Sequence, residues 1–233
     1  MSSIQENISA VRANIAAAAL SVGRKPSEIT LVGASKMNDS AACREAIAAG
    51  IDALGENRVQ EMTQKLSENA YAGAPLHFIG HLQRNKVKMV VGKVALIESV
   101  GSLELLADID RQAEKLGIVQ SILLEVNIGS EEAKSGFLPE ELSAAAEQAR
   151  AFSHVELRGL MAIPPVSEEE HGSVPYFEKV RALFVDINAK LYDNKLDILS
   201  MGMSGDYEDA IRCGATMVRV GTAIFGARHY HTV

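Results

Sequence analysis

Lys36 closes an apolar run, T-L-V-G-A-S-K over residues 30–36. A β-rich run that stops on a lysine sets the amine at the carboxyl end of a strand. In parallel α/β folds that edge is where ligands are held. A lysine partly desolvated there loses some of its preference for the charged form and becomes a usable nucleophile. A surface lysine that merely caps a strand is the competing reading. The second chemically informative residue is Arg219, between valines in M-V-R-V-G-T-A-I-F-G (217–226), a run whose composition requires burial. A buried guanidinium needs a partner, because an unpaired buried charge costs several kcal/mol. That partner is either a carboxylate in the protein floor or a bound ligand. Strand alternation gives Arg219 the same face as Met217, Gly221 and Ala223.

Elements that could position these groups recur along the chain. Ile4, Ile8, Val11 and Ile15 follow helical spacing, and Gly23 with Pro26 ends that segment. Strand-like runs then lie at 30–36, 52–57, 77–80, 96–100, 121–127, 157–163, 198–203 and 217–226, separated by segments of helical composition. One helix carries the stripe Phe177, Val180, Phe184, Ile187 and Leu191, which reads as core packing. Eight such alternations in 233 residues predict one (β/α)₈ barrel spanning 1–233, with an extra N-terminal helix packed outside it. Only 164–175, P-P-V-S-E-E-E-H-G-S-V-P, reads as a long flexible loop.

A barrel would bring the strand ends to one rim: Lys36, Asn57, Gly80, Asn127, Met161 to Ile163, and the S-M-G-M-S segment from Ser200 to Ser204. Barrels often hold phosphate between the loops after strands seven and eight, beside a short helix. Here Gly202, Ser204 and Gly205 follow the seventh run, and Gly221 offers backbone N–H without a side chain in the way. An amine at one end of a pocket and a phosphate nest at the other suit an aldehyde phosphate held as a Schiff base. Pyridoxal 5′-phosphate (PLP) fits, and so does a phosphorylated sugar in a class I aldolase. His77 and His81 are four apart, but F-I-G between them favours a strand, where they are poorly placed as a zinc pair. Lys134 reads as a solvated loop lysine.

Composition narrows the classes. The net charge of −7 and the absence of a basic tract argue against nucleic-acid and acidic-membrane partners. Cys43 and Cys213 have no zinc or redox spacing and read as small core fillers. The N-terminus lacks the pattern of a secretion signal, and no apolar stretch approaches a membrane span, so a cytoplasmic protein is expected.

Seven ordered segments carry a resemblance to a known family: L-V-G-A-S-K, A-L-G-E-N-R-V-Q-E, H-F-I-G-H-L-Q-R-N-K, A-K-S-G-F, R-G-L-M-A-I, L-S-M-G-M-S-G-D-Y-E-D-A-I and T-M-V-R-V-G-T-A-I-F-G-A-R. From about Ile4 to Tyr230 the chain resembles the pyridoxal phosphate homeostasis proteins, whose fold is similar to the barrel domain of alanine racemase (the type III PLP fold). The resemblance implies PLP bound as a Schiff base on Lys36, with Asn57 near the ring and its 3-hydroxyl, and Arg219 facing the pyridine nitrogen. It further implies that Ser200 and Ser204, with the backbone of Gly221 and Thr222, hold the phosphate, while Met161 and the strand end from Phe78 to Gly80 wall the ring.

The function implied is vitamin B6 and amino-acid homeostasis without a clear catalytic activity. An arginine at the pyridine nitrogen leaves the ring a weaker electron sink than a carboxylate would. The second domain that supplies a further acid/base in racemases is not expected after Val233, and Tyr207, His229 and Tyr230 are the substitutes weighed. The alternative is a type III amino-acid racemase or decarboxylase. Apo-PLP enzymes are the expected recipients of the cofactor, and a monomer is the expected state.

Overall fold

The computed structural model describes residues 3–131 and 134–226. Eight parallel strands close into a barrel in sequence order. They are β1 (Thr30–Ala34), β2 (Ala53–Glu56), β3 (Leu76–Phe78), β4 (Leu96–Val100), β5 (Gln120–Val126), β6 (Val155–Ala162), β7 (Ile198–Ser200) and β8 (Met217–Val220). Helix α1 (Ile4–Ser21) precedes them, held at its start by a Ser3–Glu6 capping box. The crossovers carry α2 (Ser40–Ala48), α3 (Val59–Ser67), α4 (Leu103–Leu116), α5 (Leu142–Ala149), α6 (Val174–Leu191) and α7 (Tyr207–Arg212). A 3₁₀ segment, Arg84–Met89, replaces the α-helix between β3 and β4. The loop expected at 164–175 ends earlier than its composition suggests: α6 starts at Val174, with Pro175 in its first turn, where a missing N–H costs nothing.

Strand alternation sorts side chains into two apolar layers. Leu31, Leu54, Phe78, Ile97, Ile122, Leu124 and Val218 pack outward against the helices. Val32, Ala53, Leu96, Leu123, Met161 and Met217 pack against one another inside the barrel. The interior is thus a filled floor, not a pore, and polar groups begin one layer above it.

The eighth run is shorter than its composition suggests. β8 stops at Val220, and Thr222–Phe225 turn into a short helix, α8, with Gly221 at its N-cap. T-A-I-F is apolar enough for either state, and periodicity does not separate them over four residues. Barrel closure pairs Val32 with Arg219 and Gly33 with Val220. Helix α1 packs on that side of the barrel, donating from Asn7 Nδ2 to the Ile224 carbonyl (2.8 Å) and from Asn14 Nδ2 to Tyr207 Oη (3.0 Å).

Gly80 lets the ends of β2 and β3 approach. A Cβ there would sit 2.4 Å from the Asn57 carbonyl oxygen and 2.5 Å from the Asn57 Cα. Gly80→Ala therefore forces two strand ends apart. The expected loss is about 1–3 kcal/mol of stability in denaturant unfolding; unchanged stability would contradict this packing.

Candidate functional site

A cavity of about 590 Å³ opens at the carboxyl ends of the strands. Lys36, Asn57 and Gly80 line it together, joined by Ile79, Glu125 and Ile163. Lys36 is half-buried, two residues past the end of β1. Asn57 closes β2, and its Oδ1 is buried without a hydrogen-bond partner. A buried acceptor of this kind suits a ligand that brings a donor, because leaving it unpaired costs about 1–3 kcal/mol.

The group expected to take a phosphate lies after β7 and β8, on the strand paired with β1, and none of its residues lines this cavity. Ser204 Oγ accepts from the backbone N–H of Gly221 (3.1 Å) and of Ala223 (3.3 Å). Thr222 opens α8 on the exposed rim. An ideal Cβ at Gly221 would lie 3.5 Å from Ala34, which stands two residues before Lys36. A hydroxyl and converging backbone N–H groups are the donor set that a phosphate ester needs. On chemistry alone, the described residues fit an aldehyde phosphate.

Ser200 plays a different part from the one expected. Its hydroxyl donates to Glu98 Oε2 (2.6 Å) and accepts from Arg219 Nη1 (2.5 Å). This buried hydroxyl is engaged within the barrel interior, whereas Ser204 is the serine that meets the backbone of Gly221 and Ala223. Phe78 is also corrected: its ring packs outward in the helix-facing core, and the following residue, Ile79, faces the cavity. Met161 lies in the interior floor, while Ile163, two residues on, lines the cavity.

Arg219 has its carboxylate partner in the barrel. Glu98 Oε2 lies 3.8 Å from Nη1, and Arg219 Nη2 donates to the Ala162 carbonyl (3.0 Å). Glu98 Oε1 meets His77 Nδ1 at 2.8 Å. Burial alone would raise the Glu98 carboxyl, but His77, Arg219 and Ser200 together hold it below the ordinary carboxylate range. The four side chains form a closed polar layer directly above the apolar floor. Glu125 stands nearer the mouth, accepting from Ser135 Oγ (3.0 Å). Burial raises its carboxyl above the usual value, with Ser135, Arg219 and His81 opposing.

Sequence reasoning passed over Glu98 and Glu125, although A-L-I-E-S-V and I-L-L-E-V carry the same signal that singled out Arg219: a charge within an apolar strand. Lys134 is exposed, as a solvated loop lysine should be, and it pairs with Glu131 (2.6 Å) at the edge of the same cavity. Asn127 shapes that loop, donating from Nδ2 to the Glu131 carbonyl and accepting the Glu131 N–H. Tyr207 is buried, and its hydroxyl is engaged by Asn14 in the helix layer; His229 and Tyr230 lie outside the described residues.

A half-buried lysine at the carboxyl rim of a closed eight-stranded parallel barrel, with a buried arginine–glutamate layer inside it, defines a class of lysine-bearing barrels. The family model for the alanine racemase N-terminal domain matches residues 6–229. Alanine racemase from Clostridium difficile 630 superposes with a TM-score of 0.73 at 18% identity, covering 98% of this chain and 57% of its own, which speaks to the fold alone. The pyridoxal phosphate homeostasis protein of Aquifex aeolicus is 43% identical over 97% of this chain and 98% of its own length. That of Pseudomonas aeruginosa is 42% identical over 99% and 98%. The structure of PipY from Synechococcus elongatus with PLP bound has a TM-score of 0.83 at 33% identity, covering 96% of this chain and all of that one. The chain belongs to the pyridoxal phosphate homeostasis protein family.

Two outcomes follow from the buried charges. Arg219→Met strands Glu98 without its cation and is expected to cost about 3–5 kcal/mol in denaturant unfolding; a loss under 1 kcal/mol would contradict the pairing. The raised carboxyl of Glu125 favours its protonated form in the fold. Its stabilising contribution is therefore present below the ordinary carboxylate value and is lost as pH rises through the folded one. Glu125→Gln should gain stability relative to the parent as pH increases; parallel stability–pH profiles would refute the assignment.

Proposed function

We propose that this protein binds PLP covalently through Lys36 and serves vitamin B6 and amino-acid homeostasis, holding and releasing the cofactor without a defined reaction of its own. The observation that carries the reading is the cavity itself. It gathers Lys36 and the unpaired Asn57 oxygen, one strand from the Ser204–Gly221 nest. When bound, PLP supplies an aldehyde that condenses reversibly with an amine.

The chain's own residues do the rest. Lys36 presents that amine half-buried at the cavity wall. Asn57 orients the ring through its 3-hydroxyl. The Ser204 hydroxyl and the rim backbone at Gly221 and Thr222 would hold the phosphate oxygens, with Ser204 exchanging its present bond to the Gly221 N–H for the ligand. Arg219 is the residue that would meet the pyridine nitrogen of the bound cofactor. Its guanidinium stays protonated and can only donate, so it holds that nitrogen unprotonated and keeps the ring a poor electron sink. That favours storage over amino-acid chemistry.

The relatives' names and the PLP-bound PipY structure support the same ligand. Among the described residues no helix is long and apolar enough to cross a membrane. Cys43 and Cys213 are both free thiols, consistent with the reducing cytoplasm we propose as the location. A monomeric state and apo-PLP enzymes as recipients complete the reading.

Purified protein mixed with PLP should develop a visible absorbance band that borohydride abolishes, leaving the reduced adduct on the Lys36 peptide in mass analysis. Lys36→Ala should lose both. A persistent adduct on other lysines at parent stoichiometry would overturn the assignment. Loaded protein should also activate an apo-PLP enzyme in the presence of a free-PLP scavenger; activation that vanishes with the scavenger would rule out direct transfer.

A further inference from the structure

The backbone that carries Lys36 is held by charged side chains outside the cavity. Residues 35–38 form a turn closed by the Asn38 N–H on the Ser35 carbonyl (3.1 Å). Met37 occupies its left-handed position with φ of 64°. For a side-chain-bearing residue that conformation is strained and persists only where the surroundings over-determine it. Met37 is exposed, so side-chain packing does not supply the restraint.

Helix α3 does. Glu61 Oε1 accepts the Met37 N–H at 2.5 Å, immediately after the lysine. Lys65, one helical turn later and buried, donates to the Ser35 carbonyl (2.9 Å), immediately before it. The same ammonium bonds Glu61 Oε1 and Glu56 Oε1, each at 2.7 Å. Glu56 in turn accepts from Ser35 Oγ (2.6 Å) and from Tyr71 Oη (3.0 Å). Both peptide neighbours of Lys36 are therefore tied to one ammonium–carboxylate cluster. No residue of that cluster is among those lining the cavity.

We infer that Glu61 and Lys65 are positioning residues: they clamp the strained turn on either side of Lys36 and so aim its amine into the cavity. The inference rests on Lys36 being the residue that condenses with PLP. Burial would lower the Lys65 ammonium, but the carboxylates of Glu56 and Glu61 override it and raise it, while burial raises the Glu56 carboxyl. Glu61 is the member whose removal tests the idea most cleanly, because it lies toward the surface and its loss strands no fully buried charge. Lys65→Met leaves Glu56 unpaired in the core and is expected to reduce folding itself.

The test measures the rate of Lys36 modification in the full-length protein, by timed PLP exposure, borohydride quenching and peptide mass analysis. Exposed Lys190 serves as the internal control. Formaldehyde with cyanoborohydride, a PLP-independent probe of the same amine, forms a parallel arm. Glu61→Ala should slow reaction at Lys36 by about tenfold in both arms and leave Lys190 unchanged, since small misplacements of a reacting group carry large rate costs. Glu61→Gln, which keeps an acceptor for the Met37 N–H, should stay within about twofold of the parent. Glu61→Ala reacting at the parent rate in the formaldehyde arm would overturn the clamp. A parent protein that takes formaldehyde but no PLP at Lys36 would overturn the proposed ligand while leaving the clamp to be judged on the formaldehyde rates.

Discussion

The contact between β8 and β1 is the constraint on which the site depends. Its register sets Arg219 beside Val32 and brings Gly221 against Ala34, two residues before Lys36. Lysine and arginine are thereby delivered by two adjacent strands from opposite ends of the sequence, and Ser204 reaches Gly221 from the loop after β7. Helix α1 reinforces that side through Asn7 on α8 and Asn14 on α7, so the extra N-terminal helix has a role in the site's geometry as well as in covering the barrel. Parallel barrels hold ligands at this rim because the strands deliver inward-pointing side chains to it from several directions.

Beneath the rim the interior changes from polar to apolar within one layer. Glu98, His77, Ser200 and Arg219 satisfy one another above Val32, Leu96, Leu123, Met161 and Met217. Such a network costs desolvation energy and is weak evidence for stability. It does provide a guanidinium whose direction is fixed from two sides, by the Ala162 carbonyl and by Ser200.

Much of this was legible in the sequence, because alternation of strand and helix reports topology, and a charge inside an apolar run reports a polar interior. The eight strands, the rim position of Lys36 and the interior position of Arg219 all follow from those two signals. Which face a residue occupies was less legible. A one-residue error in phase turns a side chain from the cavity to the helix layer, and this is what separates Phe78 from Ile79. Ser200 and Ser204 both read as polar residues after the seventh strand, yet Ser200 still points inward within β7 and only Ser204 has reached the rim. The clamp of Glu56, Glu61 and Lys65 was not legible at all. It depends on a left-handed Met37, and nothing in S-K-M-N requires that conformation; only the pairing of α3 with the end of β1 does.

The most direct measurement is a crystal structure of the protein soaked with PLP. The expected result is density continuous from Lys36 Nζ to the ligand, with the phosphate against Ser204, Gly221 and Thr222 and the ring nitrogen over Arg219. An unmodified Lys36 with the ligand absent from that rim, or attached elsewhere, would contradict the account.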